Sequence, residues 1–186
     1  MHFASLPQPS HEFAVLRPLR EADLARWADY LDDPVVFQHT SWDHPGVAEL
    51  RGYLGSECSG DPDARLRLAI AARTDDRLLG TIGFHSVSAR NRVAEIAYAL
   101  HPEAWGRGLA SSMVAGMVRW AHTEAGVWRV QATVLQSNAR SIRVLERAGF
   151  EPEGTLRGYR WVRGEPGDFL MYAHFDRPGT AGSSTS

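Results

Sequence analysis

Residues 94–114 read AEIAYALHPEAWGRGLASSMV. A β-forming run from Val93 to Leu100 is ended by Pro102. Two glycines, Gly106 and Gly108, follow closely, and then Leu109, Met113, Met117 and Trp120 recur at helical spacing. The spacing predicts a strand, a tight turn and a helix in direct succession. Glycines let such a turn fold sharply and bring backbone close to a ligand. The free N–H groups and dipole of the following helix favour negative charge there, so a diphosphate fits, with Arg107 as a charge-assisted partner. A tight turn alone also asks for Gly-x-Gly, and both readings stand on these residues. The Gly-Lys-Ser/Thr ending of a Walker loop is missing, as are the third glycine and downstream acid of a dinucleotide fingerprint.

Outward from this segment, Phe13–Leu19, Leu66–Arg73, Leu78–Val87, Val127–Leu135, Phe150–Arg157 and Asp168–Phe175 read as further strands. Within Val127–Leu135, Trp128, Val130, Ala132 and Val134 fall on one face, expected to be core. Helices are expected over Glu21–Leu31, stopped at Asp33-Pro34, over Pro45–Cys58, and from Asn138 to Ala148 with Gly149 as stop. The order is that of an α/β (α+β) domain: about seven strands in a mixed, mostly antiparallel central sheet flanked by helices. One domain over 13–176 is expected, with flexible termini at 1–12 and 177–186. Residues 32–60 and 157–168 read as loop regions near the site.

The 186 residues are 44% hydrophobic and 23% charged, with 20 Lys plus Arg against 22 Asp plus Glu and a formal charge of −2. That balance gives no general reason to bind nucleic acid or an anionic membrane. A lone cysteine, Cys58, permits no intrachain disulfide and no cysteine metal cluster. The eight histidines lack metal-ligand spacing, so no metal is expected. With no signal peptide or membrane span legible, a cytoplasmic location is expected.

The 94–114 segment resembles the GNAT superfamily of N-acetyltransferases, in which Arg/Gln-x-x-Gly-x-Gly/Ala follows the fourth strand and holds the CoA pyrophosphate. Gly108 and Ala110 match. Trp105 stands in the usual Arg/Gln place, as in the branch that resembles the ribosomal-protein alanine N-acetyltransferases. NARSIRVLERAGF (138–150) and EGTLRGYRWVRGEPGDFLMY (153–172) are similar to two further elements of that branch. The resemblance spans residues 13–176.

It implies an acetyl-CoA-dependent transfer of acetyl to a primary amine, with a protein N-terminus as the acceptor class of that branch. A small-molecule amine and a non-catalytic acyl-CoA-binding module are the alternatives. Acetyl-CoA contacts are implied at Tyr98, Ala99 and Leu100, at Trp105, Gly106, Arg107, Gly108, Leu109 and Ala110, and at Asn138 and Ser141. Leu100 is the expected oxyanion donor through its backbone N–H. Asn138 reads equally as a helix cap. The family's usual proton-donating tyrosine falls at Leu145, so Ser141 is the expected acid. Glu95 is the expected base, with an ion pair to Arg90 or Arg92 as the other reading. Asp168 and Glu153 fit the branch pattern or organise the last strands. His39, Trp42 and His44 fall in the loop that covers the acceptor site in the family, where they contact acceptor or simply pack. A homodimer is an expectation from the resemblance alone.

Overall fold

The computed structural model describes residues 6–9, 11–41, 44–59, 61 and 63–176. Seven strands form one sheet: β1 (Ala14–Pro18), β2 (Leu66–Ala72), β3 (Leu78–Ser88), β4 (Val93–Leu100), β5 (Arg129–Leu135), β6 (Glu151–Val162) and β7 (Glu165–Phe175). Their spatial order is β1-β2-β3-β4-β5-β7-β6, and every pairing is antiparallel except β4 with β5.

Helices cover both faces. On one face lies α4 (Leu109–Thr123), whose Leu109, Met113, Met117 and Trp120 are buried in the main core with Ile82, Phe84 and Val130. This is the stripe that the sequence spacing predicts. α5 (Ala139–Arg147) joins the same core through Leu145. On the other face, α1 (Leu24–Asp32) places Leu24, Trp27 and Leu31, at i, i+3 and i+7, against Ala69 and Leu78. Arg17 ties β1 to the start of α1 and to the β2–β3 turn, with a bidentate pair to Asp23 (2.7 and 2.9 Å) and a 2.7 Å contact to Asp76. Within the leading segment, Pro7 and Pro9 are buried, Pro9 lying against Gly116 of α4.

Several local expectations are corrected. Asp33-Pro34 ends α1 and also starts α2 (Pro34–Phe37), because Asp33 caps the Val35 N–H at 2.9 Å and proline suits the first helical position. The helix expected over Pro45–Cys58 is broken into α3 (Val47–Leu50) and two single 3-10 turns, interrupted at Gly55, where φ is +71°. The loop expected over 157–168 is the far end of the β6–β7 hairpin. Arg163 and Gly164 (φ +53° and +81°) form its two-residue turn, the paired positive φ values of a type I′ hairpin. Trp128 precedes β5 and is 43% exposed instead of joining the buried face of Val130, Ala132 and Val134. Among the described residues, no helix is long and apolar enough to cross a membrane.

Candidate active site

The parallel pairing of β4 and β5 covers only Val93–Glu95 against Arg129–Gln131. Beyond it the strands part. The β3–β4 ladder shows which backbone groups the parting frees. His101 N–H donates to Leu79 C=O (2.8 Å) in a register that pairs Leu79 with His101 and Thr81 with Ala99. Antiparallel bonding alternates, so Ala97 and Ala99 turn their backbone groups to β3, while Tyr98 and Leu100 turn theirs into the gap. The gap opens into a cleft of about 640 Å3.

At the end of β4 the chain makes the glycine turn. Gly106 and Gly108 adopt φ of +77° and +71°, and Gly108 opens α4 directly. Gly106, Gly108, Leu109 and Ala110 all line the cleft. Trp105 donates from its indole N–H to Leu100 C=O (3.0 Å), and Arg140 of α5 lies over its ring at 4.3 Å. Arg140, Arg143 and Arg147 project from α5 along the cleft at i, i+3 and i+7. The first turn of α4 and this arginine row gather N–H donors and positive charge at one end of the cleft.

Deeper in, the Tyr98 hydroxyl lies 2.7 Å from Ser141 Oγ. Burial pushes the Tyr98 phenol above its ordinary range, against the opposing effect of the Ser141 hydrogen bond. On the face opposite α4, Glu95 is 4% exposed. Its carboxylate accepts from Thr133 Oγ1 (2.7 Å), Gln131 Nε2 (3.0 Å) and Arg160 Nη2 (3.2 Å) and pairs with His85 Nε2 (3.0 Å). Burial alone would raise this carboxyl. The hydrogen bonds from His85, Thr133 and Gln131 outweigh that and hold it down at about 2.

These features match known proteins. Residues 14–151 match the acetyltransferase (GNAT) domain. The chain belongs to the GNAT acetyltransferase family. It is 33% identical to an uncharacterized N-acetyltransferase, p20, of Bacillus licheniformis over 169 residues, 89% of this chain and 94% of that one. It is 38% identical to the uncharacterized N-acetyltransferase YoaA of Bacillus subtilis over 108 residues, where the match spans 58% of this chain and only 61% of the relative. Among solved structures it is similar to Mycobacterium smegmatis RimJ in complex with CoA-disulfide, with a TM-score of 0.75 and 26% identity over 88% of this chain and 82% of that one.

Within this GNAT fold, the residues expected to meet acetyl-CoA fall into three placements. Tyr98, Ala99 and Leu100 line the parted strand, and Trp105, Gly106, Gly108, Leu109 and Ala110 line the turn. Arg107, expected at the diphosphate, instead sets its guanidinium over the Phe13 ring at 5.4 Å. Asn138 and Ser141 open α5: Asn138 Oδ1 accepts from Ser141 N–H (3.0 Å), and Asn138 Nδ2 donates to His39 C=O (3.2 Å). The amide thus caps α5 and tethers the α2–α3 loop. His39 itself lines the cleft; His44 stacks on Phe37 at 3.9 Å, and Trp42 lies outside the described residues. Glu153 pairs with Arg129 (2.7 Å), and Asp168 accepts from Gly158 N–H (2.7 Å). Both organise the last strands.

Glu95 pairs with neither Arg90 nor Arg92 but with His85 and Arg160. It sits behind the cleft wall, whereas His85 is part of that wall. His85 follows Thr81 and Gly83 on the face of β3 opposite α4, next to a β-bulge between Phe84 and Ser86. The arginine row of α5 was missed in the sequence, although its i, i+3, i+7 spacing was a signal for it. Arg67, an arginine inside the wholly buried β2, is a further cleft residue whose signal was a charge within the apolar run LRLAIAA. Among the described residues, no cluster of three or more His, Cys, Asp or Glu is placed to hold a metal ion.

Proposed function

We propose that this protein transfers an acetyl group from acetyl-CoA to a primary amine carried by another molecule. One observation carries the reading: β4 and β5 part directly beside a glycine turn that opens α4. An extended amide chain can bond to the Tyr98 and Leu100 backbone in that gap as an added strand would. Its phosphates then meet the first turn of α4 and Arg140, Arg143 and Arg147. Arg140, held over Trp105, supplies the cation that the family's usual Arg would bring at that place.

The chain's own groups suit each proton movement. The Glu95 carboxylate at His85 Nε2 keeps the proton of the neutral ring on that nitrogen, leaving the Nδ1 lone pair to accept a proton from the amine. The amine nitrogen attacks the thioester carbonyl; the C–N bond forms as the C–S bond breaks. The Leu100 N–H faces the developing oxyanion. Ser141, backed by Tyr98, gives the departing thiolate its proton. His85 is therefore the base and Glu95 the group that orients it, a division of labour familiar from histidine–carboxylate pairs.

Every one of the 20 Lys or Arg positions is arginine, so no lysine side chain of this protein can be the acceptor. A protein N-terminus, toward which the branch resemblance points, and a small-molecule amine both suit this core. The test is acetyl-CoA binding by calorimetry, repeated with Gly108→Trp, followed by a panel of amines and peptides. Binding that the substitution abolishes, with turnover on some amine, is the expected result. Binding without turnover on any amine would favour a non-catalytic acyl-CoA module, and no binding would remove the reading.

A further inference from the structure

Arg67 is 3% exposed and sits in β2, where every residue is buried. Its Nη1 donates to Ala97 C=O at 2.9 Å, and its Nε is buried without an acceptor. Its guanidinium lies 5.8 Å from the Tyr53 ring centre. The charged and titratable groups that face it are Tyr53, Tyr30 and Arg65, none of them acidic, and burial pulls its pKa below the ordinary arginine range. The other arginines that line the cleft, Arg140, Arg143 and Arg147, are exposed to water, and elsewhere Arg17 pairs with Asp23, Arg26 with Glu103, Arg129 with Glu153 and Arg160 with Glu95. Arg67 has none among the described residues. A guanidinium carries five N–H donors and remains charged in proteins. A buried one that lacks a carboxylate is strongly disfavoured unless something else answers its charge.

Its position says what that is. Arg67 lines the same cleft as His85, on the face opposite α4. β2 pairs Arg67 with Gly83, and β3 pairs Gly83 with Ala97. His85 is two residues along β3 from Gly83, and Glu95 is two residues along β4 from Ala97. One strand repeat, roughly 6–7 Å, therefore separates the guanidinium at Ala97 from the imidazole at Glu95. A small molecule with an amine one carbon from a carboxylate spans that distance when one end bonds to each group. A polyamine would set a second cation against Arg67, and a peptide N-terminus would offer it only a neutral carbonyl.

We infer that Arg67 is the carboxylate-binding residue of the acceptor site and that the acceptor is an amine with a free carboxylate beside it, of the amino-acid class. The inference rests on the N-acetyltransferase reading. The planar guanidinium suits bidentate carboxylate binding, and its fixed place relative to His85 presents the amine to the base.

The test compares each α-amino acid with its own carboxamide as acceptor for the wild-type protein and for Arg67→Met. A wild-type preference for the acid of roughly 10²-fold or more in kcat/KM is expected, because the amide leaves the buried guanidinium unanswered. Arg67→Met should bring that ratio to within a few-fold of one, and Arg67→Lys should restore part of it. Equal kcat/KM for acid and amide in the wild type would overturn the inference, as would a preference that survives in Arg67→Met. A second arm needs no turnover: thermal stabilisation by N-acetylated amino acids against their carboxamides. If no amine is acetylated, the transferase reading fails, and this arm still decides whether Arg67 takes a carboxylate. Equal stabilisation by acid and amide would then reject it.

Discussion

The Tyr98 hydroxyl stands 2.7 Å from Ser141 Oγ and so links the parted strand β4 to the first turn of α5. The tyrosine that the family pattern would place in α5 is Leu145 here, buried in the core. A phenol therefore reaches the same serine from a different element. Burial pushes the Tyr98 phenol above its ordinary range, so it stands beside Ser141 as a protonated hydrogen-bond partner.

From that pair, Ser141→Ala should lower kcat by roughly 10²-fold, the usual scale for a lost general acid. Tyr98→Phe should lower it less, since the serine remains. Calorimetry on both variants should find acetyl-CoA affinity close to that of the wild type. An unchanged kcat in Ser141→Ala across the pH range would assign the thiolate proton to another source.

For the base, the sizes of two losses are diagnostic. His85→Ala should lose roughly 10²-fold or more of kcat/KM. Glu95→Gln should lower kcat/KM less, because the ring loses its orienting carboxylate but not its nitrogen. A larger loss in Glu95→Gln than in His85→Ala would return the base role to Glu95.

Glu95 also contributes stability whose pH window follows from its depressed pKa, about 2 against an ordinary 4.5. The contribution is fully present above about pH 4.5 and is lost as pH falls toward 2. It is on the order of 1–3 kcal/mol. Urea unfolding of wild type and Glu95→Gln should differ most above pH 4.5 and converge in acid. A gap independent of pH would mean that packing, not charge, sets the difference.

Two glycines should respond differently to alanine. A Cβ at Gly108 meets nothing within 4 Å, so Gly108→Ala should cost only the backbone strain of φ +71°, roughly 1–2 kcal/mol. A Cβ at Gly83 would lie 1.9 Å from Leu66 C=O, and relief requires β2 and β3 to move apart. Gly83→Ala should be the more damaging in chemical denaturation, by several kcal/mol or by loss of folding.

The seven strands and the main helices were legible because their apolar periodicity is strong, as in α4, or because turns punctuate them, as at Thr74-Asp75-Asp76. The β6–β7 extension was not, since Arg163-Gly164 is a weaker hairpin signal than Asn-Gly and Gly154 and Gly158 interrupt the alternation. At the site, the glycine turn and the Asn138–Ser141 cap could be read from short-range spacing. The Glu95–His85 contact could not. It depends on the register of β3 against β4, which brings His85 beside Glu95 across two strands and which no local pattern records. The Tyr98–Ser141 contact joins residues 43 apart through the parting of two strands, which no local pattern records.

That parting has a mechanical side. β1–β4 and β5–β7 are two half-sheets sewn together by three residue pairs, Val93–Glu95 with Arg129–Gln131. The seam is therefore the softest line across an otherwise continuous ladder. A bound pantetheine arm would add stitches along the open length, so occupancy should slow amide exchange on both lips of the gap at once, in strands that share no hydrogen bond there. In the free protein, opening should begin at that seam, and each half-sheet should hold its own protection longer than the junction between them.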